Sequence, residues 1–203
     1  MTFSIATAAI VFALIFPVEL PDKTFVATLV LATRYRPLLV WVGVTAAFLV
    51  QTVVAVTLGG LLARLPHAPV QIVAALMFAL GGVILLRGAR NADREEREAE
   101  EEFEAKAAAP ATGLRAVSTS FLVLFLAEWG DLSQLLTASL AARYHDPVSV
   151  GVGAFVALAT ISALGAALGR TLLRYLKLAT IRRIGGSVCL LLAVITLVEL
   201  ARG

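Results

Sequence analysis

The chain has 203 residues, 60% of them hydrophobic and only 15% charged, with a formal net charge of +3 and a mean hydropathy of +0.91. Soluble domains carry about 25% charged residues, so this composition describes a polytopic membrane protein. The small positive excess is spread over loops rather than gathered in a patch, which argues against a nucleic-acid partner, and the single cysteine, Cys189, rules out an intrachain disulfide or a thiolate metal site.

The first apolar segment, "MTFSIATAAIVFALIF", has no basic region ahead of it and reads as a membrane span rather than a cleaved signal. That span runs over about 3–33 and holds Pro17 and Pro21 in its interior. Proline removes a backbone donor and clashes with the preceding turn, so the helix is expected to kink or break there. Spans follow at about 38–62 and 69–87. The stretch "RNADREEREAEEEFEAKAAAPATG" comes next and holds eight of the fourteen acids. Its Glu, Arg and Ala content favours helix, so a solvated cytoplasmic helix or a disordered linker is expected, with an acidic cation-collecting or regulatory segment as the sharper alternative. Further spans at about 116–142, 148–169 and 183–200 bring the total to six.

Lysine and arginine set the expected orientation. Thirteen fall on the side that collects the 1–2, 3–4 and 5–6 loops, and three on the other, with Lys23 left out because it lies inside a span. The thirteen-charge side is expected to be cytoplasmic, which puts the linker inside and both termini outside. The expected location is a bacterial inner membrane.

Phe12 to Tyr35 is repeated 109 residues later as Phe121 to Tyr144, with nine identities in 24 ungapped positions. They include Glu19/Glu128, Asp22/Asp131, Arg34/Arg143 and Tyr35/Tyr144, and Thr24 pairs with Ser133, another hydroxyl. This is the mark of an internal duplication. Three spans per half is an odd number, so the second half enters the membrane from the opposite side. The fold expected is all-α: two inverted three-helix repeats, residues 1–88 and 115–203, joined by a charged cytoplasmic linker over 89–114.

Outside the linker, the acids are Asp146 in a loop, Glu199 near a span end, and the four of the repeated motif: Glu19, Asp22, Glu128 and Asp131. An ionised group at mid-bilayer costs roughly 2.5–3.5 kcal/mol on insertion scales, so four demand a function or a strong pairing. Spacing of i, i+3 puts each Glu and Asp on one helix face. Two such faces across the repeat axis give four carboxylates around one cavity. Thr24, Ser133, Gln134 and Gln51 offer neutral oxygens, and backbone near Pro21 and Gly130 offers carbonyls. An all-oxygen set suits Ca²⁺, Mn²⁺ or Mg²⁺, and the lack of His or Cys in the motifs argues against zinc or copper. Carboxylates also bind protons, so metal and proton can compete for one site. Lys23 could pair with the first two acids as a structural cluster, but Leu132 stands at its place in the second copy. Arg34 and Arg143 read as interface anchors, Trp129 as cavity lining or packing, and the paired glycines as close helix contacts.

The paired motifs "ELPDKT" and "EWGDLS" resemble the E-x-G-D-[KR]-[TS] signatures of the GDT-one, or transmembrane-protein-165, family. The likeness covers essentially the whole chain. It implies a small exchanger of Mn²⁺ or Ca²⁺ for protons, with Glu19, Asp22, Glu128 and Asp131 as the cation-binding acids, Thr24 and Ser133 at the hydroxyl position and Lys23 at the basic one. Pro21 departs from the family's usual glycine, and Leu132 from its usual Lys or Arg.

The function expected is secondary active transport of a divalent cation, with Mn²⁺ export leading and Ca²⁺ second, in exchange for protons. The metal and the proton are substrates; no cofactor is expected, and the chain reads as a transporter, not an enzyme. A small-solute exporter of similar plan is disfavoured by four acids. An intramembrane aspartyl protease would use Asp22 and Asp131 but leaves the two glutamates without a role. No G-x-x-x-x-G-K-[ST] occurs, so an ion gradient is the expected driving force.

Overall fold

The computed structural model describes residues 3–20, 23–64, 67–106, 112–175 and 178–202. Among them there are nine helices and no strands: α1 (Ile5–Glu19), α2 (Lys23–Arg34), α3 (Pro37–Leu62), α4 (His67–Gly88), α5 (Ala92–Lys106), α6 (Leu114–Ala127), α7 (Leu132–Tyr144), α8 (Pro147–Tyr175) and α9 (Leu178–Arg202). The all-α expectation therefore holds. The helices α3, Gln71–Gly88 of α4 and Pro147–Leu168 of α8 are long and apolar enough to cross a membrane. Counted as one broken span, α1 and α2 make a fourth, bent by 73°.

The first span, expected over 3–33 with a kink or break at its prolines, is two helices, and the span expected over 116–142 is split as well, into α6 and α7. The local causes differ. Pro17 sits near the end of α1, whereas α6 ends in a turn whose Gly130 has φ +79°, a conformation that glycine adopts without steric cost. Both breaks fall at the acidic motif.

Helix packing follows one scheme in the two halves. α1 lies on α8 and α6 on α3; α2 lies on α8 and α7 on α3; α4 runs along α9. Glycines let the backbones meet. A Cβ on Gly43 of α3 would strike the Val117 carbonyl of α6, and one on Gly153 of α8 would strike the Ala8 carbonyl of α1. Repeated identities give repeated geometry as well. Phe12 stacks on Phe16, and Phe121 on Phe125, with ring centroids 5.4 Å apart in both pairs. The Thr28 hydroxyl donates to the Thr24 carbonyl at 2.8 Å, and that of Thr137 to the Ser133 carbonyl at 2.7 Å. The core is built from Val11, Ile15, Leu31, Val44, Phe48, Leu124, Leu140 and Ala154, while Leu49, Val53, Leu76, Leu80, Val152 and Leu191 face outward as an apolar belt.

The linker is more tightly held than its charge suggests. α5 packs on α2 and α9, burying Ala92, Ala99 and Phe103. Arg182 of α9, itself 7% exposed, donates to the Gly88 carbonyl at 2.9 Å and to the Glu95 carboxylate at 2.5 Å. α5 also carries the exposed i, i+4 pairs Arg94–Glu98 and Lys106–Glu102, which contribute little to stability.

Candidate functional site

The two helix breaks bring three of the four motif acids together. Glu19 is the last residue of α1, Glu128 follows α6 as its C-cap, and Asp131 is the N-cap of α7. One carboxylate oxygen from each lies within 4.8 Å of the other two. Glu19 is 1% exposed and Glu128 4%, while Asp131 is half-buried. Asp22 lies outside the described residues, as do the side chains of Lys23 and Leu132.

Neutral groups surround the acids. The Thr24 hydroxyl, fully buried, donates to Glu19 Oε1 at 3.2 Å. Ser133, at the matching position in the second half, is buried and gives its backbone N–H to Asp131 Oδ2 at 3.1 Å. That bond caps α7 and fixes the Asp131 carboxylate at the positive end of a helix dipole.

The amides of the two expected glutamines reach backbone groups around the helix break. Gln134 Nε2 donates to the Glu128 carbonyl at 2.8 Å, and its Oε1 accepts from the Gly130 N–H at 3.2 Å. Gln51 Nε2 donates to the Phe125 carbonyl at 3.1 Å, tying α3 to the end of α6 just ahead of the motif. The signal for this lies in the helix break itself: it frees backbone groups that lack intrahelical partners, and nearby polar side chains turn to them. Trp129 lies against Phe125 at 4.9 Å and is 59% exposed, so it packs outward rather than lining the acids. Arg34 is exposed at the end of α2, whereas Arg143 reaches α9 and donates to the Thr196 hydroxyl at 2.9 Å.

The chemistry of this cluster follows from charge. Two ionised carboxylates within 4.8 Å of each other repel by at least about 3 kcal/mol at an effective dielectric of about 20. Three such groups, two of them buried, are stable together only when cations share the space. A proton neutralises one oxygen at a time, while a divalent cation neutralises two charges and accepts several oxygens at once. The donors are all oxygen, the preference of hard cations such as Ca²⁺, Mg²⁺ and Mn²⁺.

Comparison with known proteins gives the family. The family model described as "Divalent cation/proton antiporter GDT1" matches residues 7–93 and 116–203, so each matched stretch contains one motif. The GDT1-like protein sll0615 of Synechocystis is 31% identical over 186 residues, covering 88% of this chain and 90% of that protein. GDT1-like protein 1, chloroplastic, of Oryza sativa subsp. indica is 32% identical over 209 residues, and Protein PAM71, chloroplastic, of Arabidopsis thaliana 30% over 207. The chain spans 61% of the rice protein and 56% of the Arabidopsis one. No solved structure matches the chain significantly. With both halves matched and a relative aligned over nearly its full length, the chain belongs to the GDT1 divalent cation/proton antiporter family, a family of membrane transporters rather than enzymes.

Proposed function

We propose that this protein is a secondary active transporter that exports a divalent cation in exchange for protons, with Mn²⁺ as the leading substrate and Ca²⁺ as the close second. The observation that carries the reading is the convergence of Glu19, Glu128 and Asp131, from both halves of the chain, on one oxygen-lined point. Asp22, the fourth motif acid, completes the set by its match to Asp131 in the repeat. Thr24 and Ser133 add hydroxyls beside it. Metal and proton occupy the same carboxylates in turn, which is the minimal requirement for exchange.

Six spans in two inverted repeats are part of this proposal. What supports them is the exchange of partners between halves: α1 on α8 against α6 on α3, and Gly153 on Ala8 against Gly43 on Val117. Broken helices meeting at a site between repeats are a common plan of secondary transporters. The orientation proposed has the linker in the cytoplasm and both termini outside, supported by the thirteen lysines and arginines on one side. The membrane in this proposal is a bacterial inner membrane.

The test is flux of Mn²⁺, Ca²⁺ and Mg²⁺ into proteoliposomes with and without a pH gradient. Metal uptake driven by an opposing gradient of protons is the expected result. Flux indifferent to that gradient, with no proton movement, would make the protein a uniporter or channel.

A further inference from the structure

We propose that Gln134 is the positioning residue of the cation site, the side chain that sets the spacing of Glu128 and Asp131; the proposal rests on the exchange reading above. Residues Glu128 to Asp131 form a four-residue turn. The Asp131 N–H donates to the Glu128 carbonyl at 3.3 Å, and Gly130, third in the turn, has φ +79°, the value a type II turn requires. A turn between two helix ends leaves backbone groups without helical partners, and in a bilayer each one unpaired is costly.

Gln134 lies in the first turn of α7, and its single amide meets two of these groups. Nε2 takes the Glu128 carbonyl and Oε1 takes the Gly130 N–H. The backbone of one acid is thereby tied to the helix whose N-cap is the other acid, Asp131. The Gln51 bond to the Phe125 carbonyl holds the end of α6, just ahead of this turn, to α3. Moving Gln134 would let Glu128 swing relative to Asp131, and cation ligands must keep their spacing within about 0.5 Å.

At the matching place in the first half stands Phe25, which is buried and has no side-chain donor or acceptor, so that position cannot supply the same two bonds. Gln134 acts through the two acids rather than as a ligand, because its amide is directed at the backbone.

The experiment measures Mn²⁺ binding to the purified full chain in detergent, recording sites per folded chain and the half-saturating concentration. Gln134→Met keeps the length of the side chain and removes the amide. It is expected to raise the half-saturating Mn²⁺ concentration by about 10- to 100-fold, the usual effect of losing a group that orients metal ligands, with the number of sites unchanged. Gln134→Glu retains the acceptor for Gly130 but sets an oxygen against the Glu128 carbonyl, and is expected to weaken binding as well. Equal or tighter Mn²⁺ binding by Gln134→Glu would make the residue a direct ligand and overturn the proposal. So would a Gln134→Met protein with fewer folded chains but normal affinity in those that remain, the mark of a merely structural role. Glu128→Gln separates the two readings. If it loses Mn²⁺ while Gln134→Met binds normally, the positioning role fails alone; if Glu128→Gln binds Mn²⁺ like the parent, the cation site itself is wrong.

Discussion

Gly82 and Gly186 face each other across the contact between α4 and α9. A Cβ on Gly82 would stand 2.9 Å from the Gly186 carbonyl oxygen, and one on Gly186 would stand 3.0 Å from the Gly82 carbonyl oxygen. The neighbouring leucines are exchanged in the same way: Leu190 closes over Gly82 and Leu86 over Gly186. In a bilayer, helices associate by packing rather than by a hydrophobic drive, so close glycine contacts of this kind hold the halves together.

Gly82→Ala and Gly186→Ala are each expected to destabilise the protein by about 1–3 kcal/mol, the usual cost of overfilling a tight contact. Gly60, in α3, has open space around it, and Gly60→Ala should be neutral or stabilising by up to about 1 kcal/mol. Thermal unfolding in detergent distinguishes them. Equal melting temperatures for all three variants would show that the α4–α9 contact is looser than its geometry.

The acids give the second prediction. Glu19→Gln, Asp22→Asn, Glu128→Gln and Asp131→Asn each preserve size and remove charge. Each should nearly abolish metal flux while the protein remains folded, since neutral groups ease insertion by up to about 3 kcal/mol apiece. Near-normal flux in any one variant removes that residue from the site. Asp22 is the most informative of the four, because its place rests on the repeat and the motif rather than on geometry.

Much of this site is legible in the amino-acid sequence. The repeat singles out Glu19, Glu128 and Asp131, which the fold brings together, along with Asp22, which lies outside the described residues, and Pro17 marks the neighbourhood in which α1 ends. Periodicity does not reveal the partner of each polar side chain. Gln134 has the oxygen that a cation needs, but the helix break frees the Gly130 N–H that takes it, and only geometry decides. The docking of α5 is harder to see. Ala92, Ala99 and Phe103 fall at i, i+7 and i+11, a stripe one residue wide in a segment dominated by charge. Arg182, which anchors it through Glu95, is 87 residues away in sequence.

That docking leads to a third prediction. Phe103 is buried beneath α5 and 1% exposed, so Phe103→Ala should weaken the attachment of the helix by about 3–5 kcal/mol. Limited proteolysis of the linker is the measurement. Faster cleavage within α5, with the transmembrane helices intact, is the expected result; unchanged cleavage would mean that the Glu95–Arg182 pair holds α5 without Phe103. The parallel variant Arg94→Ala removes only an exposed pair with Glu98 and should leave cleavage as it is.

The last prediction concerns pH. Metal can bind only carboxylates that have lost their protons. Lowering the pH on the binding side should therefore raise the half-saturating metal concentration, by up to about tenfold per pH unit for each proton displaced. Metal moving one way should drive protons the other, seen as a pH change inside vesicles. A general loss of stability in acid has to be told apart from this competition. Asp146, at the entrance to α8, is the group to watch: hydrogen bonds from the Ser149 hydroxyl and then the Ser149 N–H hold its carboxyl below the ordinary range. A carboxyl depressed in the folded state adds stability above its unfolded value, about 3.9, and loses it only as pH falls through the lower folded value. Asp146 therefore contributes a constant amount between about pH 6 and 8, and Asp146→Asn should leave the pH dependence of flux in that range untouched. If instead Asp146→Asn flattened the profile, while Glu128→Gln and Asp131→Asn retained it, proton competition would lie outside the acid cluster.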